Sequence, residues 1–99
     1  MKQNLLTTQD IKNLPALYAQ ENEKEPMAWV HLFAGRNMNW YLMEYDQKNN
    51  LAFGLCDLGM GYPELGYVSL DELAEGGFVQ RDNYFTPTLL SKIKKEVFA

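Results

Sequence analysis

Met27-Ala28-Trp29-Val30-His31-Leu32-Phe33, Asn39-Trp40-Tyr41-Leu42-Met43-Glu44-Tyr45 and Leu51-Ala52-Phe53-Gly54-Leu55-Cys56 follow one another across residues 27–56. Each run has strand length and is rich in aromatic, aliphatic and β-branched residues that suit a pleated, half-buried surface. Gly35-Arg36-Asn37 and Gln47-Lys48-Asn49-Asn50 break the runs with polar, turn-forming residues. The order strand, tight turn, strand predicts an antiparallel meander. Beyond it, Leu58 to Gly66 holds three glycines and Pro63 and reads as a loop, and Tyr67-Val68 as a short fourth strand. Ser69-Leu70-Asp71-Glu72 has the S-x-x-E pattern of a capping box, opening a helix over Leu70 to Glu75 that Gly76-Gly77 closes.

Toward the N-terminus, Thr7 caps a helix from Thr8 to Asn13 with Asp10 in its first turn, and Pro15 ends it. The polar Gln20 to Pro26 stretch reads as a loop. Toward the C-terminus, Thr86-Pro87 leads into a last helix, Thr88 to Val97, with Leu89, Ile93 and Val97 four apart on one face and Leu90 beside them. A block of strands flanked by short helices predicts an α+β fold: a three- to four-stranded antiparallel sheet with short helices packed on one face. The 99 residues have room for one core, so residues 1–99 are expected to form a single domain.

Composition narrows the function classes. The chain is 46% hydrophobic and 22% charged, as a globular domain is. No apolar run approaches the ~18 residues of a membrane span, and Met1 to Leu6 lacks the apolar region of a secretory signal. Cys56 is the one cysteine, which excludes an intramolecular disulfide and a cysteine-rich zinc site and suits a reducing, cytoplasmic setting. The predicted core is aromatic, with Trp29, Phe33, Phe53 and Leu73 at its centre. Nine basic against thirteen acidic residues give a net charge of −4, unfavourable for nonspecific binding to nucleic acid or anionic lipid. From Tyr41 to Asp82, eight acids face only Lys48 and Arg81.

Few residues nominate catalysis. His31 has no second histidine or cysteine pair to complete a metal site, and no serine elbow stands near it in sequence. A hydrogen-bonded histidine near the core is the expectation. Cys56 adjoins Asp57, whose charge disfavours a thiolate, so a buried structural thiol is expected. Gly59-Met60-Gly61 lacks the endings of either nucleotide-binding glycine loop. Asp71 and Glu75 lie four apart, but early-helix acids more simply stabilise a helix N-terminus. Trp40, Tyr41, Tyr45 and Phe53 could stack nucleobases, yet the surrounding stretch is acidic rather than basic, so these rings are expected in the core. No cofactor, metal or catalytic residue is predicted.

Several segments resemble a known family: Leu5-Leu6-Thr7, Leu14-Pro15-Ala16-Leu17-Tyr18, Asn39-Trp40-Tyr41 followed by Glu44, and Phe53-Gly54-Leu55. The pattern continues in Glu64-Leu65-Gly66-Tyr67-Val68-Ser69-Leu70-Asp71-Glu72-Leu73 and in Arg81-Asp82-Asn83-Tyr84-Phe85-Thr86-Pro87. Together these resemble small single-domain proteins of bacterial plasmids, phages and integrated elements that are catalogued as a domain of unknown function. The resemblance implies a non-enzymatic module of a mobile element. Its expected role is an anti-defence inhibitor (anti-CRISPR or anti-restriction), binding a host protein or nucleoprotein complex with a basic surface. The alternatives are a plasmid or phage accessory with another protein partner, or a nucleic-acid-binding domain. The expected contact residues are Asp57, Glu64, Asp71, Glu72 and Glu75, with Tyr62 as an apolar anchor, on a monomer or weak dimer. Arg81 and Asp82 are expected to fix Gln80 to Tyr84 against the Leu65 to Ser69 strand.

Overall fold

The computed structural model describes residues 5–97. In chain order its elements are α1 (Thr8–Asn13), β1 (Met27–Ala28), β2 (Val30–Ala34), β3 (Met38–Asp46), β4 (Leu51–Asp57) and β5 (Glu64–Ser69). Then come α2 (Leu70–Glu75), β6 (Gln80–Arg81), β7 (Thr88–Leu89) and α3 (Leu90–Val97). The fold is α+β, and the meander is present: β2, β3, β4 and β5 pair antiparallel in sequence order.

The sheet exceeds the expected three to four strands. β6 returns to pair with β2, giving a five-stranded order β5-β4-β3-β2-β6, and β1 pairs with β7 in a separate two-stranded ribbon. Met27–Ala28, read as the start of the first strand, instead pairs with β7, while β6 and β7, two residues each, carry no hydrophobic alternation for a reading by periodicity to find.

The helices are also divided. Leu32, Trp40, Leu42, Ala52 and Val68 share one cluster with Leu5, Leu6 and Leu14 around α1 and with Leu70 and Ala74 of α2. Tyr41, Met43 and Leu55, the alternate residues of β3 and β4, pack instead with Leu90 and Ile93 of α3. Because successive strand residues point to opposite faces, α1 and α2 cover one face of the sheet and α3 the other. This corrects the expectation of helices on a single face. The last helix begins at Leu90, so Leu89 belongs to β7 and is exposed. The side chain of Val97 lies outside the described residues.

The innermost side chains are aliphatic: Leu32, Leu42, Leu55 and Val30. Trp29, Phe33, Phe53 and Leu73 are half-buried, Trp29 and Leu73 packing against the margin of the first cluster. In β2 the buried parity is Val30, Leu32 and Ala34, which leaves His31 and Phe33 on the less covered side. In the middle of the sheet, a Cβ on Gly54 would collide with the Tyr41 carbonyl oxygen, so only glycine fits where β4 approaches β3.

Both N-caps form, the first as a full capping box and the second through the Ser69 side chain. Thr7 Oγ1 accepts from the Asp10 N–H at 3.0 Å while the Asp10 carboxylate accepts from the Thr7 N–H at 2.9 Å. Ser69 Oγ accepts from the Glu72 N–H, and Gly77 ends α2 with a positive φ of 74°. Asp10, however, does more than cap. Arg81 Nε and Nη2 donate to its two carboxylate oxygens at 2.6 and 2.7 Å, a forked contact joining α1 to β6. Arg81 therefore anchors Gln80 to Tyr84 against β2 and α1, not against β5 as expected. The register shows why: β6 lies at the opposite edge of the sheet from β5.

Burial alone would raise the Asp10 carboxyl, but the Arg81 and Thr7 hydrogen bonds and the Arg81 charge outweigh it and hold the group below its usual range. A folded-state pKa below the unfolded one stabilises the fold above about pH 4, and that contribution is lost as pH falls through the folded value. Arg81→Ala leaves a buried carboxylate unpaired and should cost about 3 kcal/mol. Chemical denaturation at pH 7 and at pH 3 checks this: the wild type should lose more stability on acidification than Asp10→Asn does.

Candidate functional site

One acid stands inside the apolar run of β3. The β3–β4 register shifts between Leu42, opposite Gly54, and Glu44, opposite Phe53, so Met43 is an extra residue in a bulge. A bulge re-aims the side chains around it. Here it places Met43 and Glu44 together on one cleft.

Glu44 is 4% exposed, and a carboxylate this buried needs donors. It takes them from the chain after Pro15: the Tyr18 N–H donates to Oε1 and the Gln20 N–H to Oε2, each at 2.8 Å. Gln20 then binds the strands, its Nε2 donating to the carbonyls of Met27 and Met43 and its Oε1 accepting from the Met27 N–H. The Tyr45 N–H donates to the Pro15 carbonyl at 2.8 Å. Tyr18 is held with φ at +70°, a left-handed conformation unusual for a side chain of that size. The result is to project the Tyr18 ring, 62% exposed, over the cleft.

The cleft measures about 310 Å³. Tyr18, Phe53, Leu65 and Tyr67 supply its apolar wall, Glu44 is part of its lining, and Glu21 and Glu23 join the same lining from the 20–26 loop. Phe53 and Tyr67 rings lie 5.1 Å apart at 57°, and the Tyr67 hydroxyl donates to the Tyr18 hydroxyl at 3.2 Å. That hydrogen bond comes first in holding the Tyr67 hydroxyl above the usual phenol range, and the charges of Glu44 and Glu21 push the same way. Aromatic faces and carboxylates thus share one negatively polarised cleft.

The residues singled out from sequence fall elsewhere and apart. Asp57 ends β4, its Oδ1 accepting from the Gly59 N–H. Tyr62, 81% exposed, and Glu64 share a shallow hollow with Cys56, Leu58 and Met60. Asp71, at the other end of β5, accepts a hydrogen bond from Asn50 Nδ2 at 2.9 Å. Glu72 borders a third hollow with Trp40, Leu73 and Phe78, and Glu75 is exposed at the end of α2. The six residues of β5 separate the two acid groups by ~17 Å at a strand's rise per residue. They form two surfaces rather than one.

His31 is a hydrogen-bonded histidine at the margin of the core. Its Nδ1 lies 2.9 Å from Asp82 Oδ2, its Nε2 2.8 Å from Asn39 Oδ1, and its ring stacks on Tyr41 at 4.4 Å. The hydrogen bond with His31 is the first of the contacts that hold the Asp82 carboxyl below its usual range. With both ring nitrogens so engaged, the imidazole has no nitrogen directed at an attacking group. Cys56 is half-buried, and burial pushes its thiol up, away from the reactive thiolate.

Sequence reading counted Glu44 among the acids of the 41–82 stretch but did not make it a site residue. The available signal was its company: a lone acid between Met43 and Tyr45, in a strand otherwise written to be buried. Tyr18 and the 20–26 loop, distant in sequence, gave no sign that they would meet it.

Residues 5–94 match the family described as "Protein of unknown function (DUF2958)", and the chain belongs to it. No curated protein and no solved structure matches the chain significantly. On the geometry of the cleft, Glu44→Gln keeps the shape but leaves one acceptor for two backbone donors. It should cost about 1–3 kcal/mol. Amide hydrogen exchange should quicken at Tyr18 and Gln20 first, before any change in β3 and β4.

Proposed function

We propose that this member of the DUF2958 family is a protein-binding module whose acidic, aromatic-walled cleft takes up a lysine or arginine side chain of a basic partner. The observation that carries this reading is the buried Glu44 carboxylate in a cleft walled by Tyr18, Phe53 and Tyr67, with Glu21 and Glu23 alongside. A cation over an aromatic face is attracted by the ring quadrupole, by ~0.5–1 kcal/mol at exposed sites and more where water is excluded. A carboxylate beside the rings adds Coulomb attraction that strengthens as the local dielectric falls. Each Glu44 oxygen accepts one backbone N–H and keeps acceptor capacity for a further donor.

The action on this reading is binding rather than catalysis. The acids outside the cleft, Asp57 and Glu64 at one end of β5 and Asp71, Glu72 and Glu75 at the other, then form a field that speeds encounter with a basic surface. Tyr62 offers an apolar contact at the rim. Inhibition of a host nuclease or RNA-guided complex is one role this mode of binding suits, because such targets hold nucleic acid in basic channels.

The test is a titration of isotopically labelled protein with the peptide acetyl-Thr-Lys-Thr-Lys-Thr-amide and with its twin carrying norleucine for lysine. The lysine peptide should shift the amide signals of Tyr18, Gln20, Phe53 and Tyr67, and the effect should weaken with added salt. Tyr67→Ala, at an exposed position, should weaken binding about fivefold without unfolding the chain. Equal responses to the two peptides, or unchanged affinity in Tyr67→Ala, would overturn the reading.

A further inference from the structure

We infer that the free edge of β5 receives an extended, lysine-bearing segment of the partner as an added antiparallel strand, its lysines standing on the cleft side of the sheet. This rests on the cation-binding reading of the cleft and adds the backbone geometry by which the partner docks.

Among the described residues β5 pairs only with β4 and forms one border of the sheet. The Leu70 N–H donates to the Asn50 carbonyl at 3.0 Å, in line with the register Leu51↔Ser69, Ala52↔Val68 and Phe53↔Tyr67. Bonded pairs alternate along an antiparallel ladder, so Val68, Gly66 and Glu64 direct their N–H and C=O groups at β4. Leu65 and Tyr67 therefore direct theirs away from the sheet. Among the described residues neither backbone has a hydrogen-bond partner on that side.

Proteins guard such borders with short strands, proline, lysine or bulges. The opposite border, β6, is two residues long. β5 is six residues long, Glu64-Leu65-Gly66-Tyr67-Val68-Ser69, and apart from the charge of Glu64 at its first position contains none of these devices. Leu65 and Tyr67 are 46% and 53% exposed, and their side chains line the cleft of Glu44. The same two residues thus offer backbone groups outward and side chains to the cleft.

An incoming strand opposite Leu65 and Tyr67 makes main-chain bonds through the residues facing them. Those residues carry their side chains on the same face as Leu65 and Tyr67. A Lys-x-Lys segment in that register places both ammonium groups on the cleft side. Charge chooses the occupant. A second copy of this chain paired β5 to β5 would set the Glu21, Glu23 and Glu44 clefts side by side on one face of the joined sheet, and like charges so placed repel. A basic segment meets the same carboxylates with attraction.

The experiment uses acetyl-Thr-Lys-Thr-Lys-Thr-amide, its twin methylated on the backbone nitrogens of both lysines, and amide hydrogen exchange of the full chain. Binding should slow exchange at Leu65 and Tyr67 at least tenfold, and the methylated twin should bind at least tenfold more weakly. Leu65→Pro removes an outward N–H while sparing every bond to β4, and should weaken binding at least tenfold more than Leu65→Val, which keeps that N–H. Undiminished binding of the methylated twin, with the cleft signals still shifting, overturns the added strand and leaves the cation reading standing. Protection of Leu65 and Tyr67 by the norleucine peptide as strongly as by the lysine peptide overturns the cation reading. A dimer in sedimentation equilibrium, with Leu65 and Tyr67 protected before any peptide is added, also overturns the proposal, because the edge then belongs to a second copy.

Discussion

A carboxylate folded into a sheet has to be given donors, and Glu44 sets much of the surrounding geometry through that need. The bulge at Met43 turns it onto the α3 side of β3, and the backbone N–H groups of Tyr18 and Gln20 come to it. Satisfying the acid thereby fixes the path of the chain between α1 and β1. Gln20 is brought against Met27 and Met43, and Tyr18 is forced into its left-handed conformation beside Tyr67. Replacing the acid by an apolar residue would relieve the desolvation but release the whole segment. The polar group in this case specifies one conformation of the segment packed on it.

On the other side of the sheet, Asp10 plays a comparable part with a side-chain partner. Its carboxylate closes the α1 capping box and grips Arg81 in a fork, so one acid organises both a helix start and the β6 border. The two acids differ in what they leave free. Asp10 is enclosed by Thr7 and Arg81, whereas among the described residues Glu44 takes its hydrogen bonds from backbone donors and borders a cleft. That difference in surroundings, rather than charge count along the sequence, separates a structural carboxylate from a candidate binding one.

The meander was legible because each strand run ends in residues that turn, and the caps because Thr7 and Ser69 precede helices with an acid three positions on. The placement of α3 on the far face was also written, though less plainly. Trp40-Tyr41-Leu42-Met43 is apolar at both parities, and a strand apolar at both parities must be covered on both sides. The aromatic core was legible in part: Trp40, Tyr41 and Tyr45 are buried, whereas Trp29, Phe33 and Phe53 are half-buried. Those three were misplaced because ring size was weighted above parity: Leu32 is enclosed while its neighbours His31 and Phe33 face the margin. The acidic contact set was chosen by proximity in sequence, but β5 carries Glu64 and Asp71 to opposite ends. Nothing local to Glu44 foretold a bulge, since Met43 differs little from its neighbours until the register with β4 is known.

The fork between Asp10 and Arg81 joins residues 71 positions apart. Closing a loop of that length costs conformational entropy before the contact returns anything, whereas the turns between β2, β3 and β4 close over only a few residues. Folding is therefore expected to begin in the meander and to finish when α1 and β6 meet across its border. An interaction absent from the transition state acts on the rate of escape from the native state rather than on the rate of reaching it. The Asp10–Arg81 contact, on this view, works as a latch: it sets how long the finished molecule stays closed, while the hairpins set how quickly it forms.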